Sequence, residues 1–155
     1  MSLRVEDVMV RDVITVVAEA SVKEAVELMN RHDIGCLVVM SRGKAVGIVT
    51  ERDMLRRVLA KSVDPGGIKV SRIMSKPLIA GCSHMDLEDV ARIMFRRKIK
   101  KLPIVEEGRL IGIVTLTDIA IAHVEPKMVK VIKELTNGGW LPPKRMKKVI
   151  DFYIA

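Results

Sequence analysis

Apolar positions along the chain follow a helical period and then a strand period, and they do so twice in the same order. Val22, Ala25, Val26 and Met29 recur at helical spacing behind Ser21, and Glu24 three places on completes a capping-box signature. A short β-prone stretch, Val13-Ile14-Thr15-Val16-Val17, precedes this helix. After it, Leu37-Val38-Val39-Met40 and Ala45-Val46-Gly47-Ile48-Val49 read as strands joined by a turn at Ser41-Arg42-Gly43-Lys44. A helix is then predicted from Thr50 to about Lys61. Further along, Leu87, Val90, Ala91 and Met94 form the second helical stripe, with Asp86 and Asp89 at its start. Strands follow over 102–105 and 110–114, turning through Glu106-Glu107-Gly108-Arg109, and a helix begins at Thr115.

The recurrence is in register. Residues 5–55 lie on residues 70–120 with one constant shift of 65 and no gap, and about a quarter of the aligned positions are identical. The identities include Gly, Thr and Asp, not only interchangeable aliphatics. The expected fold is mixed α/β (α+β): two tandem β-α-β-β-α repeats packed with pseudo-twofold symmetry, followed by a helical C-terminal extension. The expected boundaries are 1–61 for the first repeat, 62–69 for a linker, 70–122 for the second repeat and 123–155 for a basic extension. A unit of about 50 residues is marginal by itself, so each copy is expected to bury its apolar face against the other. In the extension, helices are predicted over 126–135 and from Pro143, the latter packing on its own domain or making a dimer or partner contact.

Composition narrows the picture. Apolar residues make up 49% of the chain, yet Phe95, Trp140, Phe152 and Tyr153 are its only aromatics, so the core must be aliphatic and Met-filled. The net charge is +8, with 20 basic and 16 acidic residues in 1–120 and 7 and 3 in 121–155. That balance allows an anionic ligand or nucleic acid, or simply a lysine-rich solvated surface. The pair Cys36 and Cys82 does not align between the copies and reads as two small residues of a reducing compartment. No apolar run has the length of a membrane span and the first residues lack a signal-peptide core, so a cytoplasmic location without membrane contact is expected.

The chemistry concentrates in Gly-Ile-Val-Thr-x-x-Asp, which occurs at 47–53 and again at 112–118, each time where a strand meets a helix. Thr50 and Thr115 are natural N-caps, and Asp53 and Asp118 suit the helix dipole, so capping alone explains the spacing. A ligand would use the same geometry, with a phosphate at the free amides of the helix start and a ribose diol at the carboxylate. Neither His32, His84 nor His123 pairs with a Cys at metal-ligand spacing, and no phosphate-binding glycine loop or nucleophilic triad can be read. No catalytic or metal site is therefore assigned.

Together with Asp7-Val8-Met9, Ile14-Thr15-Val16 and Ile99-Lys100-Lys101-Leu102-Pro103-Ile104-Val105, the duplicated motif resembles the paired CBS (cystathionine-β-synthase) domain modules. The likeness covers roughly residues 3–122. It implies a non-enzymatic regulatory module that takes AMP, ADP or ATP in clefts between the repeats, requires no other cofactor and signals to a protein target. It further implies a homodimer. By this resemblance Asp53 and Asp118 hold ribose, while Thr50, Arg52, Thr115, Thr117 and Lys100 lie near phosphate. Adenine falls against Ile14, Thr15 and Val16 in one cleft and Ile79 and Ala80 in the other. Gly35-Cys36 stands against Lys100-Lys101, and Arg52 against Thr117, so the two clefts are expected to be non-equivalent. Two alternatives remain: S-adenosylmethionine as ligand, and a protein or nucleic-acid interaction through the basic extension. The basic run Arg96-Arg97-Lys98-Ile99-Lys100-Lys101 is open to three uses: complementing a helix dipole, phosphate contact or nucleic-acid contact.

Overall fold

The computed structural model describes residues 3–123, so the helices predicted in the extension lie outside the described residues. The first half holds a three-stranded sheet. Strand β1 (Thr15–Val17) runs parallel to β2 (Cys36–Ser41), which pairs antiparallel with β3 (Lys44–Thr50). In the second half β4 (Lys101–Glu106) pairs antiparallel with β5 (Arg109–Thr115), and β3 and β5 meet across the interface between halves. Both hairpins turn through two consecutive residues of positive φ, Arg42-Gly43 and Glu107-Gly108. Their backbone twist thereby matches that of the strands they join.

The helices follow from the sequence as read. Helix α1 (Val5–Val8) is short, while α2 (Val22–His32) and α4 (Leu87–Arg97) lay Val22, Ala25, Met29 and Leu87, Val90, Met94 onto their sheets. The Ser21 hydroxyl accepts from the Glu24 amide, and the Glu24 carboxylate accepts from the Ser21 amide at 2.7 Å, the reciprocal box predicted. Helix α3 (Glu51–Asp53) opens as expected but widens into a π turn over Met54–Val58 and closes as a 3-10 turn at Leu59–Lys61. Helix α5 (Leu116–Ala122) is regular.

The lead-ins to the two repeats are exchanged. The Val5 amide donates to Met85 O and the Val70 amide to Ala20 O; likewise Glu6 bonds to Ser83 and Ser71 to Ala18, and Leu87 to Leu3 as Val22 does to Ile68. Every pair is related by the 65-residue shift. Val5, Val8 and Met9 therefore complete the core of the second half, and Val70, Ile73 and Met74 that of the first. The sequence repeats and the packed bodies are not the same sets of residues.

This crossing needs glycine beneath it. Val10 pairs with Ile113 and Ser75 with Ile48, which brings each lead-in down on the neighbouring Gly112 or Gly47. A Cβ on Gly47 would lie 2.8 Å from Met74 Sδ and 2.8 Å from Ser75 O, and one on Gly112 would lie 2.7 Å from Met9 Sδ and 3.2 Å from Val10 O.

The copies differ at their third strand. Where β1 pairs with β2, the second copy makes a single bridge between Gly81 and Ile104. Pro103 has no amide to donate at that edge and Gly81 brings no side chain to pack. Ser83 compensates, its amide and hydroxyl both donating to Glu106.

Gly47→Ala is expected to destabilise the protein by roughly 1–3 kcal/mol, as overpacking does, and by more than Gly112→Ala. A Cβ on Gly47 meets a backbone oxygen as closely as the Met74 thioether, whereas at Gly112 the closest contacts are with the flexible Met9 thioether and the backbone oxygen stands farther off. Urea denaturation of the two variants checks the order.

Candidate functional site

Both Thr-x-x-Asp motifs form the same closed unit. At α5 the Thr115 amide (2.7 Å) and hydroxyl (2.8 Å) donate to Asp118 Oδ2, and the Asp118 amide donates back to Thr115 Oγ1 at 3.2 Å. At α3 the corresponding distances for Thr50 and Asp53 are 2.9, 3.1 and 3.4 Å. The next amides are also used, Glu51 donating to Gly35 O at 3.1 Å and Leu116 to Lys100 O at 3.0 Å. The helix starts are thus largely satisfied from within the chain, and are less open to an anion than their position implied. Only the amides of Arg52 and Thr117 stand between these bonded positions.

The two aspartates are buried alike, at 7% and 4% exposure for Asp53 and Asp118, but their surroundings differ. Asp53 Oδ1 lies 3.7 Å from Arg57 Nε and accepts from the Ser75 hydroxyl at 3.4 Å. The equivalent positions beside Asp118 are Ala122 and Val10, which offer neither a cation nor a hydroxyl. Burial pushes the Asp118 carboxyl above the usual carboxylate range, against a smaller lowering by the Thr115 hydroxyl and amide.

A cavity of about 430 Å³ opens at Asp118. Residues of both copies line it: Asp12, Val13 and Ile14 from the first lead-in, the segment 32–36 from the last residue of α2 into β2, and Lys101, Thr115, Thr117 and Asp118 from the second copy. Cys36 and Lys101 are repeat equivalents and both line it, which sets the cavity against the internal dyad. Of the residues singled out in the sequence, Ile14, Thr115, Thr117 and Asp118 are brought together here.

The others lie elsewhere. Arg52 and Lys100 are exposed and do not line this cavity; Lys101 supplies the cation instead. Thr15 is exposed, and Val16 belongs to the first core cluster rather than to the cavity wall. Thr50 and Asp53 are not in the lining, Ile79 packs on the second core and Ala80 is exposed. Asp12 and Asp33 were not singled out by the sequence, and Lys101 entered only as part of the basic run 96–101; the constant shift does pair Lys101 with Cys36, but nothing in the pattern shows which copy each faces. Among the described residues no group of three or more His, Cys, Asp or Glu could hold a metal ion, and no helix is long and apolar enough to cross a membrane.

The duplicated α/β body with a ligand-sized cleft between its copies defines a two-repeat module. The chain belongs to the CBS domain family, whose model matches residues 5–60 and 70–125. It is 38% identical over 117 residues to the CBS domain-containing protein YhcV of Bacillus subtilis, covering 76% of this chain and 83% of that protein. It is 43% identical over 117 residues to the inosine-5'-monophosphate dehydrogenase of Korarchaeum cryptofilum, where the match covers 75% of this chain but 23% of the enzyme. Among solved structures, the CBS domain pair of protein MJ0100 in complex with 5'-methylthioadenosine and S-adenosyl-L-methionine is similar at a TM-score of 0.71 and 28% identity, covering 79% of this chain and 96% of that one.

Thr115→Val removes the capping hydroxyl and its two bonds to Asp118, leaving only the bond from the Thr115 amide. A loss of about 1 kcal/mol in stability is expected, with the Asp118 carboxyl titrating at still higher pH than in the unaltered protein. Urea denaturation and carboxyl-detected NMR titration check the two effects.

Proposed function

We propose that the protein is a regulatory module that holds the adenosine moiety of a small ligand in the Asp118 cleft and passes occupancy to a protein target. The observation carrying this reading is the placement of a buried carboxylate, two threonine hydroxyls and an aliphatic lead-in around one cavity. Its volume lies within the range of small-molecule sites. Asp118 accepts from the ribose diol, Ile14 and Val13 pack on the adenine, and Thr115, Thr117 and Lys101 face the 5' substituent. As no Phe, Trp or Tyr is in this lining, aliphatic contact supplies most of the hold on the base.

An adenine nucleotide, AMP before ADP or ATP, is the first reading, because the lining offers one lysine for the phosphate. A second reading has its own support. Asp12, Asp33 and Asp118 outnumber Lys101 in the lining, and a sulfonium is attracted by that balance where a triphosphate is repelled. The similar protein MJ0100 was solved with 5'-methylthioadenosine and S-adenosyl-L-methionine. A homodimer and a cytoplasmic setting complete the proposal. A nucleic-acid role for the basic extension falls on residues outside those described.

A thermal-shift panel of AMP, ADP, ATP, GTP, 5'-methylthioadenosine and S-adenosylmethionine tests the reading. A ligand at about a hundred times its dissociation constant should stabilise the fold by roughly 2.7 kcal/mol. Response to none of the adenosine compounds overturns it. Asp118→Ala is expected to weaken the responding ligand at least about tenfold, since a hydrogen bond to a charged group is worth roughly 1.5–3 kcal/mol.

Acid should weaken binding too. The acceptor is lost as Asp118 takes up a proton, and its raised pKa moves that loss to higher pH than an ordinary carboxylate would give. The stability effect has the opposite sign: the ionised, buried Asp118 disfavours folding above its raised pKa, and this penalty is relieved as pH falls from there toward the ordinary carboxylate value. Calorimetric titrations across the acid range, with Asp118→Asn as the pH-independent control, separate the two.

A further inference from the structure

We propose that a second, basic hollow beside Asp53 binds an oligophosphate, either free or as the phosphate group of an organic ester. The hollow is about 550 Å³ and is lined by Arg57, Ser71, Arg72, Met74, Ser75 and Lys76. None of these residues lines the Asp118 cavity, so the proposal stands apart from the adenosine reading.

Arg57 is built into the wall. It leaves the π turn over Met54–Val58, and its Nη1 donates to Ile73 O at 2.6 Å and to Met74 O at 2.9 Å. Its Nε sits 3.7 Å from Asp53 Oδ1, so the guanidinium is oriented from two sides. Arg72 and Lys76 are exposed cations on the exchanged lead-in, and Ser71 adds a hydroxyl donor. Every charged residue of the lining is positive. Arginine forks and hydroxyls in a concave wall match phosphate oxygens in both charge and geometry.

The duplication supplies an internal control. Shifted by 65 residues, the six lining positions become Ala122, Glu6, Asp7, Met9, Val10 and Arg11, and the same backbone hydrogen bonds hold both lead-ins in place. Only the core methionine is kept. The fold therefore needs neither the arginines nor the hydroxyls at these positions, since it forms with alanine, valine and two carboxylates in their stead. Formal charge over the six positions is +3 in one copy and −1 in the other.

Calorimetric titration of the full chain with pyrophosphate, at fixed ionic strength, tests the site. Saturable binding is expected, weakened at least about tenfold by the pair Arg72→Ala and Lys76→Ala and left intact by Asp118→Ala. Both altered residues are exposed, and an unchanged urea midpoint in phosphate-free buffer verifies folding of the pair variant. Repeating the titration with ADP in the Asp118→Ala background identifies the source: equal affinity for ADP and pyrophosphate marks the phosphates alone as the ligand, and tighter ADP binding marks an ester. Pyrophosphate binding that is absent, that is unaltered in the pair variant or that is lost in Asp118→Ala overturns the proposal. Displacement of pyrophosphate by a single-stranded oligonucleotide with a steep salt dependence also overturns it, in favour of a nucleic-acid surface.

Discussion

The close crossing of each lead-in over the strand of the opposite repeat is the constraint on which the rest of the molecule depends. Met9 and Val10 lie over Gly112, and Met74 and Ser75 lie over Gly47, at separations that leave no room for a β-carbon. The crossing carries Val5, Val8 and Met9 into one core and Val70, Ile73 and Met74 into the other. It also decides the make-up of the cleft. Because the first lead-in runs on from β5 before it reaches β1, Ile14 arrives beside Asp118 rather than beside Asp53. Packing and site are two results of one exchange.

Within that frame the Thr-x-x-Asp unit serves structure and ligand together. The capping box fixes the carboxylate against the helix start and occupies Oδ2 with two donors. A ligand thus meets a side chain that is already oriented, and little ordering entropy remains to oppose binding. The duplicate shows what a few neighbours change. With Arg57 and Ser75 beside it, Asp53 is part of an internal ion pair, while Asp118 is held in a less polar setting that resists ionisation.

Much of this was legible in the sequence, since local rules act on local residues. The stripes behind Ser21 and Asp86, the hairpin turns and the two capping boxes follow from periodicity and side-chain chemistry over a few positions. The exchange of lead-ins was not legible, because a Val-x-x-Val-Met pattern is apolar whichever core receives it. Val16 could not be told from Ile14 either: two apart in one β-prone run they would share a strand face, but β1 begins at Thr15, which leaves Ile14 on the lead-in that lines the cleft. The π turn escaped as well, since its residues have ordinary helix propensity and the wider turn goes with Arg57 reaching carbonyls far along the chain. Asp53 and Arg57 stand four apart in plain view, yet an i,i+4 pair on a helix usually means little until its burial is known.

The exchanged lead-in has a consequence for how such a module assembles. A single repeat made alone would carry its own lead-in but lack the one its core takes from the other copy, and with its own arm directed outward the Met pocket over its glycine stands unfilled. Two such fragments could satisfy each other by trading arms, the low-cost route to domain-swapped dimers. The tandem chain is the covalently closed form of that swap, its linker over 62–69 holding the two arms at high mutual concentration.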